Sequence, residues 1–311
     1  MTDRQLLKRF FSGDRIALAK LISRAENNSE GSDSLLDEIY RRTGGAYRIG
    51  VTGPPGAGKS TLVDQLVRLF RRENKRVGVI AVDPTSPFTG GALLGDRIRM
   101  QSSQEDPEVF IRSMATRGSL GGLAHATQEV ADVFDAFGKE VIFLETVGVG
   151  QSELDVVEAA DTVLVVLVPE SGDSIQAMKA GLMEIGDIFV LNKSDHENAR
   201  RAFVELQSIL SLNPPRAGWH PPLLQTVASE NKGVDAVMEQ IRKHRAFLEE
   251  SGRLEEKRRR RVRDRLRRRL QATVMERFWE RSREKRFEEL VGRILRGERT
   301  YREALEELLA E

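Results

Sequence analysis

Short apolar runs rich in β-branched residues alternate with longer amphipathic segments through the middle of the chain. Several runs are apolar almost throughout, which is typical of strands that are buried on both faces. Because segments of helical periodicity separate the runs, the pattern predicts an α/β fold with a mostly parallel central sheet flanked by helices. The predicted strands are Tyr47–Thr52, Val77–Val82, Val109–Ile111, Val141–Leu144, Thr162–Val168, Ile188–Leu191 and Leu223–Val227.

Charged segments of helical periodicity flank this region at both ends. We therefore predict an N-terminal helical extension over residues 1–45, an α/β domain over 46–234 and a C-terminal helical arm over 235–311. Ten of the thirteen residues from Lys257 to Arg269 are basic. An apolar stripe runs through this basic segment in steps of four, as expected for one face of a long helix. Its members are Val262, Leu266, Leu270, Val274 and Phe278.

The composition excludes several classes of protein. The chain has no cysteine, so it can hold no disulfide framework, thiolate nucleophile or cysteine-ligated metal. Its 49 basic and 48 acidic residues leave a net charge of +1, which indicates no particular partner. No apolar run approaches the roughly 20 residues that span a bilayer, and the first residues lack the pattern of a signal peptide. We expect a cytoplasmic protein that does not bind a membrane.

The phosphate-binding motif G-x-x-x-x-G-K-[ST] occupies residues 53–60, between the first predicted strand and a helical segment. Its glycines let backbone N–H groups converge on a polyphosphate. Lys59 would neutralise the β- and γ-phosphate oxygens, and Ser60 would offer its hydroxyl to Mg²⁺. The predicted nucleotide contacts of this loop are Gly53, Pro55, Gly56, Ala57, Gly58, Lys59, Ser60 and Thr61.

The motif N-K-x-D ends a later strand and predicts selectivity for guanine, and hence GTP or GDP as ligand. Asp195 can accept hydrogen bonds from guanine N1–H and N2–H₂, whereas adenine would leave this carboxylate unpaired. Asn192 would serve guanine O6 or N7, and the alkyl stem of Lys193 would cover the base. The loop after the next strand would offer a backbone N–H to guanine O6. Its residues are Val227, Ala228 and Ser229.

Three acidic residues at strand ends or in adjoining loops form the predicted metal and catalytic set with Ser60 and Lys59. They are Asp83, Asp96 and Glu145. Mg²⁺ binds oxygen ligands and keeps several waters, so one or two of these carboxylates suffice. Glu145 begins an E-x-x-G segment that ends at Gly148, where GTPase switches usually carry D-x-x-G. A γ-phosphate can order such loops, and hydrolysis then releases them.

At these residues the sequence resembles the MeaB/ArgK GTPases, the family of the methylmalonic aciduria type A proteins, in the SIMIBI branch of P-loop proteins. The resemblance extends over nearly the whole chain. Its most specific segment is 145–153, with the sequence ETVGVGQSE. Further matching segments are 13–22, 82–87, 95–97, 114–122, 172–173 and 179–181.

The resemblance implies a homodimeric GTPase that chaperones an adenosylcobalamin-dependent acyl-CoA mutase, usually methylmalonyl-CoA mutase. Such proteins gate cofactor loading and protect or reactivate the mutase, with weak hydrolysis that the partner stimulates. The resemblance also implies that Asp173 and Lys179 lie in the loop that couples nucleotide state to the mutase. Glu170 departs from the family, which commonly has glycine there. No glutamine can be assigned to position the attacking water, which agrees with slow unaided hydrolysis.

Three alternatives stay open. A metal-delivery GTPase of the same branch usually carries Cys and His ligands, but this chain has no cysteine and four scattered histidines. A kinase associated with amino-acid transport, as in older ArgK naming, would need an acceptor site that no motif indicates. The basic segment from Lys257 to Arg269 raises the possibility of nucleic-acid binding. However, acidic residues lie on both sides of it and no aromatic residue interleaves for base stacking, so we favour helix packing in a dimer.

Overall fold

The computed structural model describes residues 2–27, 32–84, 105–116, 122–146, 158–169, 181–212, 218–279 and 283–309. They belong to two units, one that ends at Leu254 and one that begins at Glu255. The first unit contains the sheet, and the second consists of helices.

Seven parallel strands form one sheet in the order β3-β2-β4-β1-β5-β6-β7. They are β1 (Tyr47–Thr52), β2 (Val77–Pro84), β3 (Val109–Thr116), β4 (Val141–Thr146), β5 (Thr162–Leu167), β6 (Ile188–Leu191) and β7 (Leu223–Gln225). The predicted α/β class is confirmed, and every pairing among the described strands is parallel. Each predicted apolar run is a strand, although β3 is longer than expected and β7 shorter.

Helices precede, connect and follow these strands. They are α1 (Asp3–Phe11), α2 (Arg15–Asn27), α3 (Ser32–Tyr40), α4 (Lys59–Arg72), α5 (Gly122–Ala136), α6 (Met183–Ile185), α7 (Ala199–Ser211), α8 (Val234–Glu250), α9 (Arg253–Trp279), α10 (Glu284–Leu295) and α11 (Tyr301–Leu309). The helical segments predicted at both ends of the chain are present. Among the described residues, no helix is long and apolar enough to cross a membrane.

Both faces of the sheet are covered, which explains why its strands are apolar almost throughout. In β4, Val141 and Phe143 join the core that includes α4 and α8. Ile142 and Leu144, which alternate with them, join the core that includes α1, α2, α3, α5 and α7. A strand with both faces buried has no polar positions to alternate with apolar ones.

Helix α8 packs on the sheet in the first unit, with Val237, Met238 and Ile241 in the same core as α4. The sequence prediction had assigned α8 to the C-terminal arm, and the predicted domain boundaries stay predictions. In the second unit, Leu290 of α10 and Leu308 of α11 lie in a small core of their own.

Candidate nucleotide-binding site

The predicted phosphate loop connects the end of β1 to the start of α4, at the carboxyl edge of the sheet. Gly53, Gly56 and Gly58 have φ angles of 137°, 74° and 85°, a region that residues with a Cβ adopt only under strain. A Cβ at Gly53 would also lie 2.0 Å from the carbonyl oxygen of Val166 in β5. The motif therefore needs glycine for backbone conformation and, at Gly53, for packing against the neighbouring strand.

Lys59, the first residue of α4, is buried with 5% of its surface exposed. Its Nζ donates to the carbonyl oxygens of Gly53 and Pro54, at 2.8 Å and 3.0 Å. These carbonyls partly replace water around a charged group that would be costly to bury alone. The positive end of the α4 dipole lies at the same place, so the loop concentrates positive charge.

Ser60 and Glu145, two members of the predicted metal set, are in contact. Ser60 Oγ donates to Glu145 Oε1 at 2.6 Å, and both side chains are buried. The parallel pairing of β1 with β4 sets Val51 beside Glu145, which brings the end of β4 to the start of α4. Two oxygens that can both bind a metal ion thus lie together beside the phosphate loop.

The side chain of Asn192 joins three segments of the chain. Its Nδ2 donates to the Ala57 carbonyl oxygen in the phosphate loop at 2.9 Å. Its Oδ1 accepts from Thr226 Oγ1 at 2.9 Å and from the Ala228 N–H at 3.0 Å. A Cβ at Gly58 would lie only 2.3 Å from Nδ2. The two nucleotide motifs, 135 residues apart between Ala57 and Asn192, therefore meet at one buried amide.

The rest of the guanine motif forms a turn after β6. Lys193 has a positive φ of 56°, and the Ser194 N–H donates to the Thr226 carbonyl oxygen at 3.0 Å. The Asp195 side chain is exposed. The Lys232 ammonium has a raised pKa, mainly because it pairs with Glu230 and to a smaller extent because of the charge on Asp195. The Asp195 carboxylate is therefore exposed to solvent and lies close enough to Lys232, in the loop after β7, to affect the pKa of that lysine.

The loop after β7 uses the N–H groups of Val227 and Ala228 within the protein. Ala228 begins a short 3₁₀ helix that ends at Glu230, and its N–H donates to Asn192. The N–H of Val227 donates to the Lys232 carbonyl oxygen at 3.0 Å. The predicted contact from this loop to guanine O6 stays a prediction, for which Ser229 remains the third predicted residue.

Several predicted site residues lie outside the described part of the chain. They are Asp96, Gly148, Asp173 and Lys179. The backbone of Asp83 lies near the end of β2, paired with Ala115 of β3, but its side chain is not among those described. Within the described part, no group of three or more His, Cys, Asp or Glu side chains forms a metal site.

Two contacts of the site were not predicted from the sequence. They are the Thr226 hydroxyl and the Ala57 carbonyl oxygen, which both bind Asn192. Thr226 lies inside the predicted strand Leu223–Val227, near its end. Its hydroxyl gave no signal of its own, because the contact depends on β6 and β7 being neighbours.

The amino edge of the sheet holds a separate perturbed group. Lys139, just before β4, donates from Nζ to the Glu108 carbonyl oxygen at 2.8 Å. Burial lowers the pKa of Lys139 to about 8, and the charge on Glu108 opposes this shift only in part. This lysine lies at the opposite edge from the phosphate loop, so it belongs to the fold and not to the nucleotide site.

The family of the chain follows from a match to known sequences. The model of the family described as methylmalonyl Co-A mutase-associated GTPase MeaB matches residues 18–283, most of the chain. The chain belongs to the MeaB family. A protein of Pyrococcus abyssi that is named as a GTPase is 53% identical to it over 293 residues, 93% of this chain and 90% of that protein. The GTPase ArgK of Escherichia coli is 38% identical over 260 residues, 80% of this chain and 78% of that protein.

A solved structure supports the same assignment. The crystal structure of a LAO/AO transport system kinase superposes with a TM-score of 0.73 and 28% identity, covering 99% of this chain and 97% of that chain. The resemblance to MeaB/ArgK proteins is thereby confirmed, as are the SIMIBI-type P-loop fold and the prediction of a GTPase.

Proposed function

We propose that this MeaB-family GTPase binds GTP and GDP at the carboxyl edge of the sheet, with Lys59, Ser60 and Glu145 at the phosphates. One observation supports this site above the others. The Asn192 amide binds the phosphate loop at Ala57 and, through Oδ1, the loop after β7. Two motifs that occurred in the chain by chance would not be expected to be joined by a buried hydrogen bond.

Lys59 is the proposed phosphate ligand. When a nucleotide binds, the ammonium group of Lys59 exchanges the carbonyl oxygens of Gly53 and Pro54 for phosphate oxygens. The bonds to the carbonyl oxygens already have a charged donor, and phosphate oxygens add an opposite charge, so Coulomb attraction makes this exchange favour binding. The backbone N–H groups at the start of α4 supply further donors to the same phosphates.

The side-chain oxygens of Ser60 and Glu145 fit Mg²⁺, which prefers oxygen ligands and keeps several waters. Ser60 Oγ and Glu145 Oε1 are oxygens 2.6 Å apart beside the loop. We propose that Ser60 holds the ion and that Glu145 holds the ion or one of its waters, with Asp83 and Asp96 as further members. When bound, Mg²⁺ neutralises charge that develops on the phosphates during hydrolysis.

Asp195 is the proposed guanine selector, with Asn192 and Lys193 completing the base contacts. Replacing Asp195 by asparagine tests this directly, because an amide can donate to the C2 carbonyl of xanthine but matches the guanine amine poorly. We expect Asp195→Asn to weaken GTP binding by roughly a hundredfold or more and to strengthen XTP binding. Unchanged GTP binding by the variant would contradict the proposed base site.

We further propose that the partner is an adenosylcobalamin-dependent mutase, most directly methylmalonyl-CoA mutase, whose cofactor loading the GTPase gates and which it protects or reactivates. The family description, which names a mutase-associated GTPase, supports this role. Gly148, Asp173 and Lys179 are the proposed coupling residues. The cytoplasmic location expected from the sequence stays a prediction.

Co-elution of the chain with a purified methylmalonyl-CoA mutase tests the partnership. We expect a complex whose amount differs between GTP and GDP, since the coupling segments respond to the nucleotide. If no complex forms with either nucleotide, the chaperone role is wrong and metal delivery becomes the stronger alternative.

We also propose that the second unit forms a homodimer through α9. An apolar stripe on this helix is at least half exposed to solvent in the single chain. Its members and their exposed fractions are Val262 (50%), Leu266 (68%), Leu270 (61%) and Val274 (55%). Each buried side chain of this kind contributes about 1.5–3 kcal/mol, so covering the stripe with a second copy favours association.

A further inference from the structure

The basic segment of α9, residues 257–269, is densely positive. Its ten basic residues against one acidic residue, Asp264, leave a net charge of +9. The segment is helical throughout, and thirteen residues of α-helix are about 20 Å long. Because the whole chain has a net charge of +1, the residues outside the segment together carry −8. The excess positive charge is therefore concentrated on one half of one helix.

Three arginines of this segment form a line along the exposed side of α9. Arg259, Arg263 and Arg267 are exposed and follow one another in steps of four, about 6 Å apart along the helix. Each lies three positions before a member of the apolar stripe, so this arginine line runs beside the stripe. Asp264, the acid of the segment, lies 3.7 Å from Arg260 instead. The described part of the chain offers the three arginines no ion pair.

A second copy of the chain does not supply an opposite charge for the arginine line. In the homodimer proposed above, the stripe of one copy covers the stripe of the other. Each copy then brings a basic segment with a net charge of +9. Like charges repel one another, so an anion that lies along such a helix stabilises it. The partner that suits the arginine line is therefore an anion with closely spaced charges.

The composition of the segment favours phosphate as that anion. Nine of its ten basic residues are arginine, whose planar guanidinium can bind two phosphate oxygens at once. A net charge of +9 over about 20 Å is roughly one positive charge per 2 Å. Duplex DNA carries one negative charge per roughly 1.7 Å of its axis. The segment contains no aromatic residue that could stack on the bases of a single strand, so a duplex fits better.

An anionic membrane fits these features less well. A helix that lies on a membrane separates an apolar face from a basic face. In α9, four arginines follow one another from Arg258 to Arg261, and four successive residues occupy more than one full turn of a helix. Basic side chains therefore surround this part of the helix. A duplex suits such a helix, because a helix in a groove has phosphates on both of its sides.

We propose that the basic segment of α9 binds the phosphate backbone of a nucleic-acid duplex without preference for sequence, with Arg259, Arg263 and Arg267 at the phosphates. This binding surface belongs to the second unit, whereas the proposed nucleotide site belongs to the first. Each arginine that neutralises a phosphate releases counterions from the duplex. The affinity for the duplex therefore falls steeply as the salt concentration rises.

The dependence of duplex binding on salt tests this surface. We would measure binding of the full chain to a labelled DNA duplex of about 20 base pairs, by fluorescence anisotropy between about 50 and 200 mM salt. One variant replaces the arginine line by glutamine, and another replaces it by lysine. A control variant loses the same charge at exposed arginines of the first unit. Its changes are Arg4→Gln, Arg41→Gln and Arg72→Gln.

A plot of log affinity against log salt concentration changes its slope by about 0.9 for each phosphate contact. We expect the glutamine variant to bind more weakly, with a slope about 3 smaller per chain. The lysine variant keeps the charge and should keep the wild-type slope, as should the control. An unchanged slope in the glutamine variant, or an equal decrease in the control, would overturn the proposal.

Two results with the wild-type chain would overturn it without any variant. A wild-type slope shallower than about 3 would leave too few phosphate contacts for the arginine line. Binding to vesicles of phosphatidylcholine and phosphatidylserine that is as tight as binding to the duplex would identify the segment as a lipid-binding surface instead. Unchanged GTP hydrolysis and sedimentation of the glutamine variant would show that its fold and assembly are intact.

Discussion

Replacing Gly58 by alanine is expected to destabilise the nucleotide-free protein in two separable ways. Gly58 has a φ of 85°, and a left-handed conformation costs a residue with a Cβ about 1–2 kcal/mol. The added methyl would also lie 2.3 Å from Asn192 Nδ2 and would push the amide away from Ala57. A buried polar group that loses its partner costs a further 1–3 kcal/mol or so. Together the two effects predict a loss of about 2–5 kcal/mol.

Gly56→Ala is the matched control. Gly56 lies in the same loop with a φ of 74°, but a Cβ there meets nothing within 4 Å. Gly56→Ala therefore has only the backbone cost. In urea unfolding, the free energy of unfolding of Gly58→Ala should be lower than that of Gly56→Ala by about 1–3 kcal/mol. When Asn192 is also replaced by alanine, the additional loss of unfolding free energy that Gly58→Ala causes relative to Gly56→Ala should disappear. Equal losses for the two glycine variants would refute the role of the Asn192 contact.

Three further changes test other parts of the structure. Glu145→Gln should lower GTP hydrolysis roughly 10- to 100-fold and raise the Mg²⁺ concentration needed for it; an unchanged Mg²⁺ dependence would remove Glu145 from the metal set. The pKa of Lys139 is about 8 when folded against a usual 10.5, so the unfolded chain binds more protons in this range. The unfolding free energy should therefore rise with pH from 8 to 10 relative to Lys139→Met, and parallel pH curves would contradict this. Leu266→Glu should shift dimers to monomers in sedimentation, whereas Gln271→Glu on the same helix should not; a monomeric wild type would contradict the proposed interface.

The sheet could be predicted from sequence because its environment is uniform. In β4, Ile142 and Phe143 face different cores, so a run without polar positions indicated a strand buried on both faces. The shortest of the described strands, β7, was predicted too long, because the apolar pattern continues beyond it, although in the strand itself Leu223 and Leu224 are only partly buried and Gln225 is exposed. Helix α8 was grouped with the arm because its charged outer face resembles that of α9, and sequence alone does not show that Val237 and Ile241 pack on the sheet.

The site could be predicted only where its requirements are local. The φ angles of Gly53 and Gly58 and the position of Lys59 at the start of α4 follow from a short motif. The contact of Thr226 with Asn192 depends on strand order and has no local pattern. Asp96, whose position is outside the described residues, stays a prediction.

The most direct test of the whole account is the rate of nucleotide hydrolysis with and without a purified methylmalonyl-CoA mutase. The account predicts slow hydrolysis of GTP by the chain alone, faster hydrolysis of GTP when the mutase is added, and no comparable hydrolysis of ATP. Equal hydrolysis of ATP and GTP would contradict guanine selection by Asn192 and Asp195. Hydrolysis of GTP that no mutase changes would contradict the proposed chaperone role.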